Sequence, residues 1–240
     1  MPDNQYKFPS LPPNVYSIQD AGKTRLATVN MVPGTRVYGE KVVNSNGIEY
    51  RLWSPYRSKL AAMLEKGMIV PVVPNSRILY LGAASGTTAS HLSDIVSGGM
   101  VFAVEFAPRV MRDLIDVCSQ RKNMVPILAD ASRPALYKAI IGQVDLIYQD
   151  VAQRDQAGIA NINARECLKP GGYLIMVIKA RSVDSTVNPK MVFQQELEKL
   201  DDEFEVIDTK ILEPFHRDHL ALVARRKDHK QLASEDTNCL

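Results

Sequence analysis

The chain has 240 residues, 45% hydrophobic and 23% charged, with a formal net charge of only +2. That balance suits a globular fold and excludes recognition of nucleic acid by bulk charge, so an RNA-facing surface must come from local clustering of Lys and Arg. The length fits one catalytic domain of about 150–200 residues with a smaller addition. Cys118, Cys167 and Cys239 are far apart and show no CxxC spacing, which predicts a reducing compartment rather than a disulfide framework. The opening stretch MPDNQYKFPS has no apolar signal core, and no run reaches the roughly 20 apolar residues of a membrane span. The expectation is a cytoplasmic protein without a membrane partner.

Residues 1–55 read as a small antiparallel β domain. Val15–Ile18, Arg25–Asn30, Arg36–Val43 and Ile48–Trp53 are β-prone runs separated by Asp20–Gly22, Pro33–Gly34 and Asn44–Gly47, with Asn46–Gly47 the best hairpin signal. A unit of that size needs a neighbour to pack on. Residues 56–226 form the second predicted domain. Arg77–Leu81 reads as a buried strand, a small-residue turn follows, and a helix is predicted near Thr87–Ile95. Met100–Glu105 is the next strand. Pro108 then opens a helix with Val110, Leu114 and Val117 at helical spacing. Val125–Leu128, Val144–Tyr148 and Tyr173–Ile178 are further strands. Asn188–Pro189 reads as N-cap and first turn of a helix with Phe193, Leu197 and Leu200 on its apolar face. Phe204–Leu212 and Leu220–Arg225 close the domain as an antiparallel pair. Residues 227–240 are a polar tail. Strands alternating with helices predict an α/β fold with a doubly wound, mostly parallel sheet and right-handed crossovers.

The sharpest motif is Leu81-Gly82-Ala83-Ala84-Ser85-Gly86-Thr87-Thr88, a strand entering a small-residue turn and then a helix. Gly82 and Gly86 permit unusual backbone angles and close ligand approach, although such turns also serve simply to pack helix on strand. Free N–H groups near Thr87 and Thr88 would stabilise a carboxylate or other anion. A dinucleotide fingerprint requires a glycine where Ala84 stands, so the ligand expected lacks a pyrophosphate. Glu105 ends the second strand, about 20 residues on, where an acidic side chain can hold ribose hydroxyls. Asp130 ends the third strand, within reach of an adenine amino group, and Asp150 ends the fourth. Three acidic strand ends converge on the crevice at the switch point of the sheet and predict an adenosine-containing ligand.

Five ordered blocks also resemble a known family. They are the glycine-turn motif above, Asp150-Val151-Ala152-Gln153, Lys179-Ala180-Arg181, Glu213-Pro214-Phe215-His216-Arg217-Asp218-His219, and Trp53-Ser54-Pro55-Tyr56-Arg57-Ser58-Lys59-Leu60-Ala61-Ala62. Together, from about residue 10 to residue 226, they resemble fibrillarin in its compact archaeal form. The glycine- and arginine-rich extension of eukaryotic fibrillarins does not occur here. The resemblance implies a Rossmann-like class I methyltransferase sheet with an antiparallel last strand, and S-adenosylmethionine as methyl donor. Gly82, Ala83, Gly86, Thr87, Thr88, Glu105, Phe106, Asp130, Ala131, Asp150 and Gln153 would form the cofactor site. It also implies a catalytic set of Lys59, Asp150, Lys179 and His219. His216 is the rival of His219 in the same stretch, and the choice between them rests on the family pattern.

Those residue types suit methyl transfer to a ribose 2′-hydroxyl, an in-line displacement in which the enzyme aligns the hydroxyl and removes its proton. Lys179 is expected to accept that proton, Asp150 to orient it, and Lys59 and His219 to place the ribose. No catalytic metal is expected. Arg51, Arg57, Lys66, Arg181 and Arg217 fall in segments expected near the mouth of the cleft and are the candidate RNA-binding residues. The activity implied is 2′-O-methylation of rRNA, with tRNA as a second acceptor class. It would be directed by a C/D box guide RNA in a ribonucleoprotein with a Nop-family scaffold protein and a kink-turn-binding ribosomal-type protein. Methylation of a protein glutamine or a small molecule, and a non-catalytic role in an RNA particle, are the competing readings.

Overall fold

A computed structural model describes residues 11–228. Residues 1–10, Cys239 and the tail from residue 229 onward lie outside the described residues. The chain begins with β1 (Val15–Asp20), β2 (Lys23–Val29), β3 (Val42–Ser45) and β4 (Ile48–Leu52), followed by α1 (Lys59–Glu65). Then come β5 (Arg77–Leu81), α2 (Thr87–Ile95), β6 (Met100–Glu105), α3 (Pro108–Ser119) and β7 (Met124–Leu128). A 3₁₀ turn at Pro134–Leu136 leads to α4 (Lys138–Ile141), β8 (Val144–Gln149), α5 (Gln156–Cys167) and β9 (Leu168–Lys179). The last elements are α6 (Ala180–Val183), α7 (Pro189–Glu198), β10 (Phe204–Ile211) and β11 (His219–Arg226).

The first four strands form an antiparallel sheet in the order β1-β2-β4-β3. The predicted hairpin is there: Ser45 pairs with Ile48, and Asn46 and Gly47 take φ of +52° and +77°, the two positive values that a tight two-residue turn needs. The predicted strand Arg36–Val43 is mostly a loop. Glu40 turns the chain back by accepting the N–H groups of Val37 and Tyr38 at 3.1 and 2.9 Å, so the strand starts only at Val42. A side-chain acceptor outcompetes the ladder there, and β-prone composition does not reveal it.

The main sheet runs β10-β11-β9-β8-β5-β6-β7. The contacts among β7, β6, β5, β8 and β9 are parallel, and β11 pairs antiparallel with both β9 and β10. Parallel strands covered on both faces read as continuous apolar runs, and in β5 the four residues Ile78–Leu81 are all buried. One core, with Leu60, Leu92, Leu114 and Val177, covers one face of the sheet. The other face carries Leu79, Ile147, Ile159 and Phe193. Asn188 caps α7 as expected, its side chain accepting the Lys190 N–H at 3.0 Å.

The N-terminal sheet has no separate core: Val15, Leu26 and Trp53 belong to the same cluster as Leu92 and Ile95 of α2. A buried polar network adds to that contact. Arg51 of β4 donates to Glu40 at 2.6 Å, to Asp94 of α2 at 2.8 Å and to the Ser90 hydroxyl at 2.8 Å. Arg121 reaches the other oxygen of Asp94 at 2.7 Å. Buried charges persist where they are paired and hydrogen-bonded, and here two guanidinium groups share one carboxylate.

Candidate functional site

Strand order reverses between β5 and β8, and in sheets of this kind ligands bind beyond the carboxyl ends of the strands at that point. The chain places a small-residue loop at the end of β5 and Asp150 at the end of β8. The two are in contact, because the Asp150 N–H donates to the Leu81 carbonyl at 2.9 Å. Gly82 has φ +81°, and a Cβ there would meet the Asp150 carbonyl oxygen at 2.9 Å. Gly86 has φ +91° and abuts Leu114 and Val117 of α3. Both glycines are therefore required by their backbone angles and by protein neighbours. Close ligand approach is not the immediate reason.

The loop is held from below by β6. The N–H groups of Gly82 and Ala83 both donate to the Val104 carbonyl at 3.0 Å. Glu105, only 7% exposed, accepts the N–H of Ala84 at 3.0 Å and that of Ala107 at 2.8 Å through different oxygens. Ala84 has φ +48°, a value uncommon outside glycine, and its bond to Glu105 supports it. The acidic strand end thus shapes the loop as well as facing the crevice. Gly86 caps α2 with no side chain over the helix N-terminus, so that terminus keeps donors for an anion.

A cleft of ≈ 220 Å³ opens above these strand ends. Its walls include Gly82, Glu105, Phe106, Ala131, Asp150, Gln153 and Lys179, all named in the sequence, and also Ala84, Val104, Ala129, Val151 and Ala152. Asp130 is not itself in the wall but stands behind it, its carboxylate accepting the Gln153 amide N–H at 2.8 Å. The N–H of Ser132 first, and Gln153 with it, hold the Asp130 carboxyl below the ordinary carboxylate range. Ala83 is buried behind the loop. Thr88 is buried too, and its hydroxyl lies 2.9 Å from that of Ser58, the N-cap of α1. It ties α1 to the cofactor-side helix.

Asp150 joins the cleft to a second group of side chains. Its Oδ2 lies 2.9 Å from Lys59 Nζ and its Oδ1 lies 2.7 Å from Lys179 Nζ. Lys179 also donates to the Asp150 main-chain carbonyl at 2.8 Å. These three side chains are 12–18% exposed, accessible from one side only. Lys59 opens α1, Lys179 ends β9 and His219 starts β11, so four separate segments meet at one point. Gln156 of α5, which pattern reading passed over, fixes Lys179 from behind. It accepts the Lys179 N–H at 3.0 Å and donates to the Lys179 carbonyl at 3.3 Å. A buried glutamine at a helix start carries no sequence signal that separates it from a surface one.

The two histidines of the last loop have different jobs. His219 places Nδ1 2.5 Å from the Arg217 carbonyl; that nitrogen must donate, which leaves Nε2 as the lone-pair site of the neutral ring. His216 donates from Nε2 to the Pro55 carbonyl at 2.8 Å and fastens the last loop to the segment before Lys59. Burial, with Lys59 contributing in each case, lowers the pKa of both rings, while the carbonyl each one meets works the other way.

The candidate RNA-binding residues divide. Arg51 is corrected: it is fully buried in the Glu40–Asp94 network and cannot touch RNA. A charged residue in a β-prone run reads as solvated, and only the packing of α2 on the sheet reveals its partners. Arg57 and Lys66 are exposed, with the Arg57 guanidinium 5.7 Å from the Tyr38 ring centroid. Arg217, 87% exposed, and Arg181, 51% exposed, both pair with the Asp218 carboxylate, at 3.9 and 3.1 Å.

Comparison with known proteins agrees with this geometry. The family model described as Fibrillarin matches residues 9–228. A Methanosarcina barkeri protein named fibrillarin-like rRNA/tRNA 2′-O-methyltransferase is 55% identical over 209 residues, 85% of this chain and 92% of that one. The solved fibrillarin of Aeropyrum pernix, in complex with natively bound S-adenosyl-L-methionine, aligns with a TM-score of 0.83 at 52% identity, covering 88% of this chain and 94% of that one. A chain of a fibrillarin/Nop5p complex aligns at 0.83 and 43% identity, covering 90% of this chain and 99% of that one. The chain described here belongs to the fibrillarin family.

Proposed function

We propose that this protein is an S-adenosylmethionine-dependent methyltransferase that modifies the ribose 2′-hydroxyl of RNA inside a ribonucleoprotein. The observation that carries the reading is the bridging of Lys59 and Lys179 by Asp150 at the wall of the cofactor cleft. The relatives named above add the substrate class, the donor and a Nop-family partner. The acceptors are rRNA and tRNA, chosen by a C/D box guide RNA, with a kink-turn-binding ribosomal-type protein completing the particle. A cytoplasmic setting fits the free thiols of Cys118 and Cys167.

The cleft suits the donor. Glu105 and Asp130 offer acceptors for ribose hydroxyls and for the adenine amino group. Phe106, 68% exposed at the lip, offers an aromatic face, and the terminus of α2 offers N–H donors to a carboxylate at Thr87 and Thr88. S-adenosylmethionine, when bound, supplies a methyl already activated by a sulfonium. The chain's own residues supply alignment and proton removal, which together account for much of such a rate enhancement. Lys179 acts as the free amine: its two N–H bonds point to the Asp150 carboxylate and carbonyl. Its lone pair takes the 2′-hydroxyl proton as the oxygen bonds the methyl and the sulfonium carbon–sulfur bond breaks, and Lys59 and His219 position the ribose.

The test is transfer of labelled methyl into a guide-paired RNA by the reconstituted particle. A target with the 2′-hydroxyl at the paired position is compared with one lacking it. Transfer that needs both guide and hydroxyl is expected; equal labelling of the deoxy target, or none from an assembled particle with donor bound, overturns the reading.

A further inference from the structure

The segment that delivers Lys59 to the site also presents Tyr56, which the reaction above does not use. The residue is 64% exposed, yet its position is set. It meets Phe215 edge to face, with centroids 5.1 Å apart and planes at 78°, and Phe215 packs against the core. The backbone beneath is fastened as well. The N–H groups of Arg57 and Ser58 both donate to the Ser54 carbonyl at 3.1 Å, and His216 holds the Pro55 carbonyl at 2.8 Å. A rigid ring with a face open to water is a preformed surface for a flat ligand.

The surroundings narrow the ligand. Arg57 follows Tyr56 directly, Arg217 stands two residues beyond Phe215, and both are exposed. An exposed aromatic with exposed arginines on the same two segments matches a nucleobase on its phosphodiester strand. Lys59 is three residues from Tyr56, at most about 11 Å along the chain, or roughly three nucleotide steps. Phe106, an exposed aromatic as well, belongs to the wall of the cofactor cleft.

We propose that Tyr56, backed by Phe215, is the platform on which a base within three nucleotides of the methylated ribose stacks, with Arg57 and Arg217 on the adjoining phosphates. The inference rests on the RNA-methylation reading and locates a subsite for its acceptor. In the assembled particle, 4-thiouridine is placed in turn at each of the three positions on either side of the target nucleotide. After irradiation, adducts are mapped by mass spectrometry. At least one position is expected to cross-link to Tyr56. Tyr56→Ala should slow methylation at subsaturating RNA by about tenfold or more, the scale of base–aromatic stacking, with donor affinity unchanged. Tyr56→Phe, which keeps the ring, should stay within about twofold of the parent on the same scale. No adduct on Tyr56 from any position, or parental turnover by Tyr56→Ala, overturns the platform. A parent particle that binds guide and target but transfers no methyl refutes the methylation reading instead, and the cross-link, which needs no turnover, still decides the role of Tyr56.

Discussion

His219 lies directly opposite Lys179 in the antiparallel ladder between β9 and β11. Directly opposed residues put their side chains on the same face with Cβ atoms about 4.5–5.5 Å apart. The last strand therefore brings its first residue to the residue that ends β9, at the functional end of the sheet. Asp150 meets Lys179 from β8 on the other side, so the group is assembled by three neighbouring strands and completed by α1.

Replacing Lys179 with Ala should separate chemistry from binding. The main chain at Lys179 is held by Gln156, which the substitution leaves in place. Tm and donor affinity are expected to stay near those of the parent protein. Single-turnover methylation should fall by about 10²–10⁴-fold, the usual contribution of a positioned proton acceptor. Near-normal turnover would remove Lys179 from that role.

Arg51→Met should act on stability and leave RNA affinity alone. The side chain is fully buried between Glu40 and Asp94, and breaking a buried pair from one side typically costs about 3–5 kcal/mol. In a domain of this size that is a fall in Tm of roughly 10 °C. Thermal unfolding reads the first part, and binding of a guide-paired RNA below the transition reads the second. A stable variant with weakened RNA binding would restore Arg51 to the RNA surface.

Stability should fall as the pH drops below about 6.5, in part through His91. Burial, aided by the charges of Arg51 and Arg121, holds its pKa well below the usual histidine value. Its two nitrogens lie 2.8 Å from the Thr28 hydroxyl and 2.8 Å from the Tyr38 hydroxyl, and its ring stacks on Trp53 with centroids 4.6 Å apart. The sign follows from proton uptake. The unfolded chain binds a proton near pH 6.5 while the folded ring stays neutral, so stability is complete above that pH and declines below it. His216 and His219 are shifted in the same direction and add to the decline. His91→Gln should be less stable overall but lose less between pH 7.5 and 5. An unchanged slope would show that His91 does not carry the effect.

Much of this protein is legible in its residues because the relevant patterns are local. The run Ile78–Leu81, the glycines at 82 and 86 and the helix from Thr87 follow from strand hydrophobicity, positive φ and helix entry over a dozen consecutive positions. The same holds for the Asn46–Gly47 turn and for the Asn188 cap. The strand-end positions of Glu105, Asp150 and Lys179 follow from the alternation of elements, which by itself orders their approach to one edge of the sheet.

The tertiary structure decided what depends on partners distant in sequence. Arg51 looks like any solvated arginine until α2 brings Asp94 against it, 43 residues on. The positions next to Glu40 read as strand until its carboxylate takes the N–H groups of Val37 and Tyr38. Gly82 looks like a ligand-binding glycine, yet the Asp150 carbonyl leaves no room for a Cβ. The Tyr56–Phe215 platform and the His216–Pro55 fastening join segments about 160 residues apart. Backbone angles and apolar periodicity act between near neighbours and are written in order along the chain. Whether a charge is buried, or an aromatic ring is held open to solvent, depends on which surfaces the fold brings together.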